Sequence, residues 1–351
     1  YDFPSIFKVK HKEIDPELLR KQAVDPSVNL TLVPSLAANA KLIRTVSLTP
    51  LKLGDMTLDI GVKYSDNWGL AHQTTIPVWV SIFRAGKQVP TIPGFDVSWR
   101  LSTGETADIY AAKTKQDGIA TVIKTLRVDA RQTATLKELV TEIKLWSRLR
   151  HPNIVRCLQY GEQPKLWLSL EYMAKGTLTK RIGQLSVIQS LQIASQLTDA
   201  VVYARTLSVM HRFLCTDNIL FDENQVPKIT NWRITNITRK MVKNKTVSPY
   251  HAPEQVCADF GGAGHHTDIY QLGVILFEML TGETPFAKKD AELVEQIKTA
   301  PPPRPSTFNR TILPALDGIV LKCMAKNKAE RYQDAAQLKA EIDNVSRTYL
   351  Q

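Results

Sequence analysis

The strongest constraint on this chain is a change in the spacing of its apolar residues. In TLDIGVKY, Leu58, Ile60 and Val62 alternate with Thr57, Asp59, Gly61 and Lys63, the period of a half-buried strand. A turn signal, SDNWG, follows, and TTIPVWVSI supplies a returning strand. From ATLKELVTEIKLWSRL onward the period changes, and Leu136, Leu139, Ile143, Trp146 and Leu149 share one helical face. SVIQSLQIASQLTDAVVYAR and TDIYQLGVILFEMLTG then read as longer amphipathic or buried helices. A length of 351 residues leans toward two domains. We expect a β-rich unit over 1–95, a small antiparallel sandwich only loosely immunoglobulin-like, and a strand-then-helix unit over 96–351. QVPTIPG (88–94) reads as the linker.

At 43% hydrophobic and 23% charged, the chain has an ordinary globular composition that needs no covalent staples. Cys157, Cys215, Cys257 and Cys323 are scattered without metal-ligand spacing, a pattern that suits reduced thiols; no metal site is expected. No segment approaches the ~20 apolar residues of a membrane helix. Tyr1 in place of Met leaves room for a trimmed leader, anchor or extra domain, so the expected location is cytoplasmic, or the cytoplasmic part of a longer anchored protein. The net charge is +11, and residues 228–245 hold six bases (Lys228, Arg233, Arg239, Lys240, Lys243, Lys245) and no acid. This segment is either a solvated loop or a docking patch for an acidic or phosphorylated protein partner. Nucleic acid is not expected, because neither interleaved aromatics nor a reader motif accompanies the charge.

An ordered set of motifs makes residues 96–351 resemble a eukaryotic-type protein kinase domain. LSTGETADIY stands where the glycine-rich phosphate loop belongs, TVIK matches the strand of the nucleotide lysine, and LVTEIKLWSRLRHPNIV is similar to the helix bearing its partner. LSLEYMAKGTL resembles the hinge, HRFLCTDN the catalytic loop, ITNWRIT the metal-binding triplet, YHAPE the end of the activation segment, and DIYQLG the helix anchoring it. The resemblance implies an α+β bilobal fold, with an N-lobe of about 96–173 and a C-lobe of about 174–351. It implies nucleotide contacts from Lys124, Glu142, Gly104, Ala107, Glu171, Met173 and Asn218, with Lys124 and Glu142 as an ion pair. That pair either engages the phosphates or serves only as a strut linking strand to helix. It implies scaffold roles for Glu254 paired with Arg331, and for Asp268 on the catalytic-loop backbone. Arg212 corresponds to the family arginine that clamps a phosphorylated activation loop, so it joins Arg239, Lys240, Lys243 and Lys245 as a docking candidate.

At the reacting centre the chain departs from that pattern. The family's catalytic aspartate is Phe213, which cannot accept a proton, and its lysine two residues on is Cys215. The bridging threonine corresponds to Val247, and Asp217 is a poor substitute base four residues away. The metal-binding aspartate is Asn231, a neutral ligand, and Arg233 stands where the family has glycine. Of the three loop glycine positions, Ser102, Gly104 and Ala107, one is kept. Read position by position, these replacements predict a pseudokinase, a catalytically inactive regulatory or scaffold module in signalling. That reading requires no cofactor and allows ATP to bind without firm Mg2+. The alternative is an unorthodox ATP-dependent serine/threonine-kinase-like phosphotransferase with a rewired active site.

Overall fold

The computed structural model describes residues 54–65, 71–82, 89–128, 132–241 and 247–350. The chain divides into two compact units, 1–88 and 89–351. In the first, β1 (Gly54–Ser65) and β2 (Ala71–Ile82) pair antiparallel. Their register sets Met56 opposite Val80, Leu58 opposite Val78 and Ile60 opposite Ile76. The other strands expected before residue 54, the turn at 66–70 and the sandwich they would complete lie outside the described residues.

The second unit begins with a five-stranded antiparallel sheet of order β3-β4-β5-β7-β6, comprising β3 (Phe95–Thr103), β4 (Ala107–Thr114), β5 (Ala120–Leu126), β6 (Cys157–Gly161) and β7 (Trp167–Glu171). Ile92, within the stretch expected to be a linker, is buried with Phe95, Tyr110, Ile123 and Trp167 in a small apolar cluster. Gly94, at φ +83°, turns the chain from Ile92 into β3. The stretch is therefore part of the lobe. Helix α1 (Thr133–Trp146) covers the sheet with Leu139, Ile143 and Trp146, all fully buried at the i, i+4, i+7 spacing of one face.

Below the sheet the fold is helical. Helix α2 (Val187–Thr206) starts in a capping box, with Ser186 accepting from the Gln189 N–H and Gln189 returning the bond. A short hairpin, β8 (Ile219–Phe221) and β9 (Pro227–Ile229), follows the catalytic-loop sequence. Helices α3 (Ile234–Met241), α4 (Pro253–Val256), α5 (His265–Thr281), α6 (Asp290–Thr299), α7 (Pro314–Cys323) and α8 (Ala335–Leu350) complete the described residues. Helix α5 is buried from Thr267 to Leu280, which explains why LGVILFEML is so apolar. Among the described residues, no helix is long and apolar enough to cross a membrane. Gly273 lets α5 approach α7, because a Cβ there would lie 2.5 Å from that of Cys323. The family-like α+β arrangement of a sheet-rich lobe over a helical lobe is present.

One buried ion pair ties the end of the activation segment to the helices behind it. Arg331 Nη1 and Nη2 donate to Glu254 Oε1 and Oε2 at 2.8 and 2.9 Å, and both side chains are fully shielded. Burial pushes the Glu254 carboxyl up, but the Arg331 guanidinium outweighs it and holds the group below the usual carboxylate value. Arg331→Ala leaves that carboxylate buried and unpaired, and is expected to cost about 3–5 kcal/mol in a urea melt at pH 7. A depressed carboxyl pKa contributes stability above its unfolded value and loses it as pH falls through the folded one. The gap between wild type and variant should therefore narrow below about pH 4. Equal midpoints at pH 7 would show the pair to be idle.

Candidate active site

The catalytic-loop backbone is set by buried polar side chains on α5. Asp268 accepts the N–H of His211 at 2.8 Å and of Arg212 at 2.6 Å. Gln271 accepts the N–H of Leu214 at 2.7 Å. Arg212 is thereby held at φ +63°, and its carbonyl accepts from Gln255 and Gln271. Burial raises the Asp268 carboxyl to about 6, against the lowering effect of the two N–H donors. His211 is neutral, since burial drives it down to about 4, and its Nε2 donates to the Thr230 carbonyl at 2.9 Å. Trp232 is fully buried edge-on to that ring, with its Nε1–H on the Ile229 carbonyl. It fills the core between loop and hairpin.

At the base position, Phe213 is buried with its ring edge-on to His251 at 5.5 Å. Cys215 is buried as well, and desolvation pushes its thiol up to about 12, so it stays protonated. Val247 packs, partly buried, against the main core. Asp217 is exposed and accepts from Thr179 Oγ1 at 2.6 Å.

Sheet, loop and triplet meet through a row of side-chain amides. Lys124 on β5 donates from Nζ to Asn231 Oδ1 at 2.7 Å. Asn231 Nδ2 donates to Asn218 Oδ1 at 2.8 Å, and Asn218 Nδ2 to the Phe213 carbonyl at 3.0 Å. Glu142 is elsewhere. Both its oxygens are taken by Arg233, Oε2 by Nε and Oε1 by Nη2 at 2.7 Å. The expected Lys124–Glu142 pair is thus not formed in this structure. The sequence signal was the arginine at a glycine position, which poses a charge in need of a partner. Without a carboxylate beside it, burial lowers Lys124 to about 8.

The other candidates are dispersed around this row. Gly104 closes the phosphate-loop hairpin by donating its N–H to the Ala107 carbonyl at 2.8 Å, and Ala107 is buried. A clasp unforeseen from sequence braces this loop: Arg127 Nη2 donates to Asp108 Oδ1 and to Thr103 Oγ1, both at 2.6 Å. Opposite charges flanking the loop at 108 and 127 were the available hint. At the hinge, Glu171 accepts the Arg156 N–H and Lys228 Nζ, and Met173 packs against the core. Two of the six bases are therefore neutralised, Lys228 by Glu171 and Asp222 and Arg233 by Glu142. Arg239 and Lys240 fall on α3, while Lys243 and Lys245 lie outside the described residues.

A lysine at about 8 is largely nucleophilic one unit higher, whereas an ordinary lysine is not. Acylation of Lys124 by an amine-reactive nucleoside probe, followed by peptide mass spectrometry, should rise with a midpoint near pH 8. A midpoint above pH 10 would place a carboxylate beside it.

Residues 95–341 match the model of the protein kinase domain. Serine/threonine-protein kinase PrkC of Bacillus subtilis is 31% identical over 69% of this chain and 39% of its own length. Serine/threonine-protein kinase PknB of Mycolicibacterium smegmatis is 27% identical over 70% of this chain and 42% of its own length. The Aurora kinase of Encephalitozoon cuniculi is 27% identical over 59% of this chain and 79% of its own. The chain thus spans about two fifths of the two bacterial relatives. These relatives are named as kinases, and that finding overturns the expectation of an inactive regulatory or scaffold module. It overturns equally the expectation that no cofactor is required, since protein kinase chemistry consumes ATP with Mg2+. Asn218 and Asn231 are the residues whose side-chain oxygens would hold such a metal. Both are neutral and hydrogen-bonded, so the negative charge Mg2+ prefers would come from the nucleotide phosphates. With its family model matched over most of its length and its lysine, loop and triplet gathered at one cleft, the chain belongs to the protein kinase domain family.

Proposed function

We propose that this chain is an ATP-dependent protein phosphotransferase of the serine/threonine type with a rewired active site. The observation that carries this reading is the continuous bond row Lys124–Asn231–Asn218, which keeps the nucleotide lysine at the mouth of the catalytic loop. Protein kinases transfer a phosphoryl group through a loose transition state, so catalysis rests on positioning and charge more than on covalent chemistry. Lys124 supplies a cation, the α5 carboxylate and amide fix the loop, and Asn218 orients through the Phe213 carbonyl. Phe213 cannot take the acceptor's proton, so the hydroxyl must lose it to solvent or to an oxygen of the phosphoryl group being transferred. A missing positioned base costs about 10²–10⁴-fold, which makes this a slow enzyme. Nucleotide contact is assigned to Lys124, Gly104, Ala107, the hinge at Glu171–Met173 and Asn218. Docking of an acidic or phosphorylated protein is assigned to Arg212 and to Arg239, Lys240, Lys243 and Lys245. Residues 1–88 are assigned to a separate β-rich unit.

Purified protein incubated with γ-labelled ATP and Mg2+ or Mn2+ should label itself or a serine/threonine substrate slowly. Lys124→Ala should remove the signal, and no transfer with either metal would refute the enzyme. Replacing Arg239, Lys240, Lys243 and Lys245 together by alanine should raise KM for an acidic peptide without changing kcat, and should flatten its salt dependence. An unchanged KM from low to high salt would remove the docking assignment.

A further inference from the structure

We infer that the clasp of Arg127, Asp108 and Thr103 sets the height of the phosphate loop, which makes Arg127 and Asp108 positioning residues for the nucleotide. The inference rests on reading the chain as an ATP-dependent phosphotransferase, and it goes further in giving side chains the work of absent glycines. Of Ser102, Gly104 and Ala107, one is glycine. Glycines let a backbone come close to phosphate but leave the loop costly to order. With side chains at two of the three positions the loop is stiffer, and where it stands is decided by what holds it.

The strand entering the loop is irregular. Arg100 faces Tyr110 and Ser102 faces Ile109, so Leu101 is an extra residue in β3, and a bulge of this kind bends the strand that carries it. The last pair of the ladder, Thr103 and Asp108, is closed by side chains, with Thr103 Oγ1 donating to Asp108 Oδ1 at 2.6 Å. Arg127, one residue past β5, meets both limbs of the hairpin. Its Nη2 donates to Thr103 Oγ1 and Asp108 Oδ1, and its Nε to Asp108 Oδ2 at 3.1 Å. Its backbone N–H donates to the Thr106 carbonyl at 2.8 Å. Arg100 places a second positive charge 3.9 Å from Asp108. Burial pushes the Asp108 carboxyl up, but bonds from Arg127 and Thr103 outweigh it and hold the group below the usual carboxylate value.

The clasp is tied to the nucleotide lysine by the strand between them. Across the β4–β5 ladder Lys124 faces Ile109 and Leu126 faces Ala107, so β5 carries the lysine and runs into the arginine that holds the loop. One strand therefore sets the separation of loop and lysine, the two parts that meet the phosphates in protein kinases. A hairpin brace with no part in binding would need only the Thr103–Asp108 pair. Arg127 reaches further, to the loop tip at Thr106. A loop held in place before its ligand arrives loses less freedom on binding, and affinity gains by that amount.

The test measures binding of the methylanthraniloyl analogue of ATP to the whole chain, with label transfer alongside. Arg127→Ala and Asp108→Asn should each weaken the analogue about threefold to tenfold, the span of a partly exposed charged contact. The double variant should lose no more than the worse single one, because the two side chains act as a unit. Arg127→Lys, which keeps the charge and loses the fork, should lose less, and it decides the matter if the alanine variant does not fold. In transfer assays KM for ATP should rise while kcat at saturating ATP holds, a division that a loss of stability alone does not produce. Unchanged or tighter binding in both single variants would overturn the positioning role. So would losses that add in the double variant, or a wild type that does not bind the analogue. Weaker binding in the variants, with no transfer by the wild type, would support the positioning role and refute the enzyme instead.

Discussion

Everything at the cleft depends on a buried helix holding a loop by its backbone. Asp268 and Gln271 lie one turn apart on α5 and take the N–H groups of His211, Arg212 and Leu214. These donors have no strand or helix partner of their own, and leaving them unpaired in the core would cost more than a hydrogen bond is ordinarily worth. The same helix reaches the activation segment, since Thr267 donates to Glu254 and Gln271 to Gln255. Gln255 in turn donates to the Arg212 carbonyl. Loop, segment end and C-terminal helices therefore share one polar network. It fixes the direction of residues 213–218 whatever side chains they bear.

That independence explains why an altered active site sits on an intact frame. Phe213 and Cys215 fill volume at the edge of the network and donate to none of its members through their side chains. The backbone geometry tolerates them, and His211 below them keeps its bond to Thr230. The triplet is different, because its side chains do the connecting. Asn231, at φ +64°, bridges Lys124 and Asn218, and asparagine is among the few residues that enter this backbone region readily. An amide suits the task because it accepts on one side and donates on the other, whereas a carboxylate could only accept.

How much of this was legible in the sequence varies with the kind of signal. The helical face of Leu139, Ile143 and Trp146 rests on spacing that burial enforces, and the strand through Leu58, Ile60 and Val62 and the order of kinase motifs were legible from spacing as well. The Pro/Gly punctuation of residues 88–94 misled, because Ile92 uses that turn to reach the core. Reading each catalytic position by its own chemistry led to an inactive module, which the kinase relatives contradict. That approach weighs lost groups singly and says nothing of transition-state charge carried by others. The destination of Arg233 was hidden for a different reason. A guanidinium arm reaches several ångströms, and only the placement of α1 beside the triplet decides which carboxylate it meets.

The two levels of order also differ in how they can change. The α5 network is buried, closed and bound to backbone groups, so breaking it means unfolding the loop. The Arg233–Glu142 contact joins two side chains that are 18% and 13% exposed, one at the start of the activation segment and one on α1. Helix α3 adds to the contact with Ile234 and Ile237, both buried in the core that holds α1. The backbone network beneath is built without the side-chain pair above it, since its bonds run from α5 to the loop N–H groups.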